Sequence, residues 1–414
     1  MHRTARTASA ATALAVAFGI TACGSSGGEG VTADKKQTLT VWAMGAEGEK
    51  LADVAAVYQK ANPHITVKVT PVGWDVAHQK LVSAAAAGNL PDVAQMGGSY
   101  MGEFAELGVL EPVDTSVFKK DDFFPAAWKQ GETNGGVYGV PWYVDTRVLY
   151  YRTDLAEKAG ADKAPATWQE LRQLATAYQD KAGTKWGIYI QGSGLDTVQS
   201  WYPFLYSAGG EIVTDDGKAV VDSPASVRAL TEYGTYFDKG LTKKNVAPGY
   251  EVLKDFNTGD VPMFFSGPWI MSLINDGYPD LKDKWGVAKI PADKGSVSMA
   301  GGSSLVISKD SEHKAAAKDF VKYLTGTEGQ KDWFTRSSDL PANTSAWDSG
   351  KLADDPGLRV FREQMESSKA SPVQPKWTEI SSKVDDAIAS VTQGKASPQD
   401  AAEKAQSEIE GLVE

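Results

Sequence analysis

Apolar positions recur along this chain at two alternating spacings. Leu39, Val41 and Ala43 alternate with Thr38, Thr40 and Trp42, which predicts a strand. Leu51, Val54, Ala55 and Tyr58 then fall at i, i+3, i+4 and i+7, one face of a helix that stops before Asn62-Pro63. Ile65, Val67 and Val69 alternate again. A helix over about 76–87 ends at Gly88, and Pro91 to Met96 is a third strand candidate. Strand and helix taking turns in this way predict a largely parallel sheet covered by helices.

The pattern resumes after an irregular stretch from about 112 to 136. Val137–Arg152 reads as a long strand broken at Pro141, and Thr167-Trp168-Gln169-Glu170 is a capping box opening a helix with Leu171, Leu174 and Tyr178 on one face. Gly187–Ile190 reads as a short strand. Ser223-Pro224 caps a helix bearing Val227, Leu230 and Tyr233. Val261–Ser266 and Ser304–Ser308 are strands, and Gly267-Pro268-Trp269 opens a helix. From about 312 the chain is mostly helical, closing with Ser397-Pro398 and a helix carrying Ala401, Ala402, Ala405 and Ile409. The pattern therefore predicts two α/β lobes.

The first residues follow other rules. Arg3 and Arg6 precede an apolar run from about Ala10 to Ile20 and then small residues, the plan of a secretory signal over 1–22. Ile20-Thr21-Ala22-Cys23 resembles a bacterial lipobox, in which Cys23 becomes the acylated N-terminus; the alternative is a plain secretory signal and a free thiol. Residues 23–37 are rich in Gly and Ser and carry no apolar period, so they read as a flexible linker reaching about 20 Å from a membrane outer face.

Composition narrows the function. The 414 residues are 42% hydrophobic and 23% charged, ordinary for two or three globular domains. Net charge is −11, and cleavage before Cys23 leaves 40 Lys and Arg against 53 Asp and Glu. So acidic a chain is a poor partner for nucleic acid. A single Cys excludes a disulfide framework and Cys-based zinc sites. Three of the four His lie beyond the signal, none at H-x-x-x-H spacing, and no G-x-S-x-G elbow, P-loop or G-x-G-x-x-G occurs, the run Gly24-Ser25-Ser26-Gly27-Gly28 being linker and not a strand-to-helix turn. A carboxylate pair for glycoside hydrolysis has no sequence spacing rule, so a secreted glycosidase stays as an alternative.

Aromatic residues are the positive clue. Of 12 Trp, Trp201 lies on a helical face with Phe204, Leu205 and Ala208, and Trp168 follows a helix cap; both read as packing. Trp42, Trp74, Trp142-Tyr143, Trp269 and Trp377 lie where the chain turns at predicted strand ends, the part of an α/β sheet that lines a ligand crevice. Flat apolar rings beside carboxylates suit sugars, which present C–H faces and hydroxyl edges.

Several segments, in order from about 38 to 414, carry a family resemblance. They are the strand ending at Trp42 with its Gly-Ala-Glu loop, Leu90-Pro91-Asp92-Val93, the stretch Gly139–Arg152, and Phe256 to Met263. Gly267-Pro268-Trp269, Ala300-Gly301-Gly302-Ser303 and the terminal Ser397-Pro398 complete the set. Together they resemble family 1 extracellular solute-binding proteins of ABC sugar importers. The resemblance implies an α/β, two-lobe, type II periplasmic-binding-protein-like clamp with discontinuous lobes, 38–140 plus about 292–342 and 141–291 plus about 343–414. It implies no catalysis, no cofactor and no metal. The partners would be a disaccharide or short oligosaccharide and the transmembrane permease, with a monomer held to the membrane by its lipid alone. Receptors for non-sugar solutes are the alternative within transport.

Residue by residue, Glu47 matches an acid that contacts sugar hydroxyls, and Tyr143 and Asp145 match the aromatic and carboxylate of the crossover. Arg147 orients Asp145 or reaches ligand. Trp269 matches a stacking aromatic, and Gly301-Gly302 a close approach of backbone to sugar. Trp74 and Trp377 join them as strand-end aromatics. Gly97-Gly98 and Ser371-Pro372 depart from the family pattern at positions that meet ligand in relatives.

Overall fold

The computed structural model describes residues 36–413 apart from 134, 195, 245 and 247–250. Cys23, the secretory signal and the linker as far as residue 35 lie outside them, and the last linker position, Gln37, already belongs to β1. Leu39, Val41 and Ala43 are buried on β1 (Gln37–Met44), as their alternation requires. Helix α1 (Gly45–Ala61) follows without a break and buries Leu51, Val54, Ala55 and Tyr58. β2 (Ile65–Val72) lies parallel to β1; α2 (Trp74–Ala86) returns, and β3 (Val93–Gly97) pairs parallel on the other edge of β1, ahead of α3 (Gly98–Glu106). A two-strand hairpin, β4 (Glu132–Thr133) with β5 (Gly136–Val137), and a short helix, Pro125–Lys129, occupy part of the stretch read as irregular.

β6 (Val140–Thr146) enters the same sheet, and the chain then leaves it. β7 (Val148–Arg152), β8 (Met263–Ser266) and β9 (Trp285–Ala288) form a second, antiparallel sheet with β7 central. β10 (Ser298–Ile307) returns to the first sheet, joined by β11 (Leu340–Pro341) and β12 (Ser368–Ala370). The first sheet runs β11-β6-β10-β3-β1-β2, with β12 on β10. β10 is antiparallel to both β3 and β6. The sheet is therefore mixed and not largely parallel. Strand–helix alternation holds for β1 to β3, whereas β10 arrives from the second lobe, so no right-handed crossover helix dictates its direction.

The expected break at Pro141 does not occur. Pro141 lies inside β6, opposite Ser304, where the pairing slips by one residue between Ser303 and Ser304. A bulge is the place where a strand tolerates a residue without an N–H. The change of sheet comes at Arg147, between β6 and β7. Gly187–Ile190 is likewise no strand; it contributes one bridge, Tyr189 to Phe264.

β7 is buried on both faces, which is why its sequence alternates so weakly. Tyr150 stacks on Phe264, ring centroids 5.2 Å apart and 5° from parallel, in the core that also packs β1 and β6. Leu149 faces a second core with Met263, Trp168, Trp201 and the terminal-helix residues Ala402, Ala405 and Ile409. The Thr167 capping box is present, with Thr167 Oγ1 accepting from Glu170 N and Glu170 reaching back to Thr167 N.

Candidate functional site

β6 carries the centre of the site because Tyr143 and Asp145, two residues apart, project from the same face of the strand. Across the ladder to β10, Ser303 stands opposite Tyr143 and Gly301 opposite Asp145. A Cβ on Gly301 would lie 2.5 Å from Asp145 Oδ1, and Gly302 has φ +117° with its Cβ position 2.2 Å from the Tyr143 carbonyl oxygen. The paired glycines let β10 lie this close beneath the two side chains.

One cluster gathers around Tyr143. Its hydroxyl donates to Glu47 Oε1 at 2.8 Å, from the crossover strand to the first turn of α1. Burial, and after it the Glu47 carboxylate, push the Tyr143 phenol well above its ordinary range, so it stays a neutral donor. Trp74, the first residue of α2, is 42% exposed, and its indole lies over Gly45 beside Glu47. Asp339, just before β11, stands near Glu47. Burial first and the Glu47 charge second raise its pKa to about 7, against the pull of Ser337, Lys50 and Trp333.

A second cluster gathers around Arg147. Its guanidinium donates from Nη1 to Asp145 Oδ1 at 2.9 Å and from Nη2 to Gln199 Oε1 at 3.1 Å. It also lies 4.9 Å from the ring centroid of Trp269, a cation–π contact. Trp269 opens the helix Trp269–Gly277 and is 42% exposed, its ring folded back over Gly267. Arg147 thus ties the crossover carboxylate to the second lobe's aromatic. The arrangement offers two half-exposed indole rings, Trp74 next to the Glu47 carboxylate and Trp269 against the guanidinium that holds Asp145, at either end of one strand that leads into the hinge crossing.

Eight candidates, Glu47, Trp74, Tyr143, Asp145, Arg147, Trp269, Gly301 and Gly302, are joined by these contacts. Trp377 lies elsewhere: it opens the helix Trp377–Thr392 and is only 6% exposed, packed in the second core. Just before it, Gln374 and Pro375 press their backbone against Gly102 of α3. Trp142, also read as a strand-end aromatic, is fully buried against Trp333 with centroids 4.5 Å apart, and Trp42 lies beneath the Lys80 ammonium. Gln95, Ser303, Gln199 and Asp339 were not singled out from the sequence. Gln95 carried a signal, as a lone amide in the apolar run Val93-Ala94-Gln95-Met96. The others gain their place only through cross-strand register and the return of the chain.

Comparison with known proteins identifies the family. The family model for bacterial extracellular solute-binding proteins matches residues 42–331. The maltodextrin-binding protein MdxE of Bacillus subtilis is 26% identical over 94% of this chain and 93% of its own. The diacetylchitobiose-binding protein DasA of Streptomyces coelicolor is 26% identical over 90% of this chain and 89% of its own. The solved structure of the sugar-binding protein MalE from Xanthomonas citri superposes with a TM-score of 0.85 at 31% identity, covering 91% of this chain and 97% of its own. With the two-sheet fold crossed at Arg147, and a family match over most of its length, this chain belongs to the bacterial extracellular solute-binding proteins and has their two-lobe, type II α/β fold.

Proposed function

We propose that this protein is a receptor for a disaccharide or short oligosaccharide, binding it between the lobes and handing it unchanged to the permease of an ABC importer. The observation that carries the reading is the pair of half-open indoles, Trp74 beside the Glu47 carboxylate and Trp269 beside the Arg147 guanidinium that holds Asp145. An indole covers the C–H face of a pyranose with a large, nearly rigid apolar surface. A carboxylate accepts from ring hydroxyls through charge-assisted bonds. The maltodextrin- and diacetylchitobiose-binding relatives support the same ligand class.

Lobe closure about the Arg147 crossing brings the two clusters onto one ligand in this reading. Residues 38–140 with about 292–342 form one lobe and 141–291 with about 343–414 the other, with β6 itself paired into the first sheet. Cys23 carries the lipid that holds the receptor at the outer face of the cell membrane, with residues 24–37 as tether. Gly301 and Gly302 bring backbone to the sugar.

Thermal melts and intrinsic fluorescence against a saccharide panel test the reading together. Ligand at 100 times Kd adds about 2.7 kcal/mol of stability, and closure over Trp74 and Trp269 alters their emission. The saccharide recovered afterwards is expected to be intact. Hydrolysed product would favour a glycosidase, and a response to amino acids or peptides alone would replace the sugar reading.

A further inference from the structure

Gln95 has no exposed surface, yet its amide governs a group that faces the proposed ligand. It projects from β3 between β1 and β10, and Oε1 accepts the Met44 backbone N–H at 2.7 Å. A backbone N–H only donates, so the atom facing it is the oxygen, and the amide cannot be turned round. Nε2 therefore points the other way and donates both its hydrogens, to the Tyr143 hydroxyl and to Ser303 Oγ, each at 3.1 Å. Ser303 Oγ, already accepting, passes its own proton to the Tyr143 oxygen at 3.2 Å. The Tyr143 oxygen now accepts twice. Its one hydrogen goes to Glu47 Oε1, at 2.8 Å.

We propose that Gln95 is a positioning residue that fixes the Tyr143 hydroxyl as a donor to Glu47, so that Glu47 presents Oε2 as an obligate acceptor to the ligand. The inference rests on the saccharide reading of the cleft. A point just above Gly45 lies 3.2 Å from Glu47 Oε2 and 2.7 Å from the Trp74 indole. The second carboxylate oxygen of Glu47 and the half-exposed Trp74 ring thus flank the same glycine. The ligand class this selects is a saccharide with a free hydroxyl or N–H at the edge of the ring that lies on Trp74. A sugar deoxygenated or O-methylated there has nothing to donate and leaves Oε2 unpaired.

Two variants and a cycle test it. Gln95→Met keeps the length of the side chain and removes both donors. In its ligand-free crystal structure the Tyr143 hydroxyl is expected to have turned to Ser303 and left Glu47. Finding the Tyr143–Glu47 bond unchanged overturns the proposal, whatever the protein binds. Gln95→Glu retains an acceptor for Met44 N–H, which keeps the test open if Gln95→Met does not fold; its second oxygen accepts from Tyr143 and draws the hydroxyl away from Glu47. Binding is then read by titration with maltotriose, N,N′-diacetylchitobiose and galactobiose. For whichever of these wild type binds, Gln95→Met and Tyr143→Phe are each expected to lose about tenfold, and the double variant no more than either alone. Losses that multiply would overturn the proposal, because Gln95 would then act independently of Tyr143. Gln95→Glu is expected to regain affinity toward acid pH, as the introduced carboxyl takes a proton and donates again; a flat profile like that of wild type counts against it. Wild type binding none of the three would sink the saccharide reading instead, while the crystal structures still decide whether the Tyr143–Glu47 contact depends on Gln95.

Discussion

Gly301 and Asp145 face each other across the β10–β6 ladder so closely that a single methyl group on Gly301 would lie 2.5 Å from the Asp145 carboxylate. The glycine therefore leaves the Asp145 carboxylate its place by being absent as a side chain. Gly301→Ala should displace Asp145 and weaken its bond to Arg147, with a drop in both saccharide affinity and melting temperature. Adding Asp145→Ala should return the melting temperature to that of Asp145→Ala alone, because the clash has lost its second party. Calorimetric melts of the four proteins check this; additive losses would place the strain elsewhere.

Asp145 is expected to accept ligand hydroxyls while Arg147 holds one of its oxygens. Charge-assisted bonds are worth about 1.5–3 kcal/mol each, which corresponds to roughly 10- to 150-fold in affinity. Asp145→Asn should lose affinity in that range with the fold intact, as amide and carboxylate are nearly isosteric. Titration with the bound saccharide reads the loss, and circular dichroism the fold.

Trp269 should behave differently. If about half of its ring meets ligand, at about 25 cal/mol per Å² its removal costs roughly 2–3 kcal/mol of binding. Trp269→Ala loses that affinity and Trp269→Phe keeps much of it. Neither should melt far below wild type, since the ring is 42% exposed without ligand. A large fall in melting temperature for both would make Trp269 a packing residue.

How much of this was legible in the sequence depended on whether neighbours in space were also neighbours in the chain. β1, α1 and the Thr167 capping box were readable because their periods and caps are local. The mixed sheet was not, because the direction of β10 is set by a chain returning from the other lobe. Pro141 misled because a bulge, fixed by pairing with β10, absorbs it. Of the candidate site, Glu47, Trp74, Tyr143, Asp145, Arg147, Trp269 and the glycine pair are legible in the sequence, mainly through resemblance. The amide and hydroxyl that orient them, Gln95 and Ser303, come from strands more than 200 residues apart in sequence.

Asp339 gives a pH signature. Its folded-state pKa, raised to about 7, lies above the unfolded carboxyl value. The stability it contributes is thus complete below about pH 4 and is lost as pH rises through about 7. Asp339→Asn removes that loss. The variant should gain roughly 2–3 kcal/mol over wild type at pH 8 relative to pH 5. Asp385, raised to about 6 mainly by burial, gives a slope of the same sign in both proteins and cancels in the comparison. Urea melts at the two pH values check it, and a variant that is worse at pH 8 would reverse the assignment.

Isothermal titration of the mature protein with maltotriose, N,N′-diacetylchitobiose and galactobiose, with an amino-acid and dipeptide mixture as counter-screen, bears most directly on what the molecule is for. A receptor built around Trp74, Glu47, Asp145 and Trp269 should bind at least one of these saccharides at a single site, leave it unhydrolysed, and lose that binding in Asp145→Asn and Trp269→Ala. Saturable binding of amino acids or dipeptides with no heat from any saccharide would contradict it.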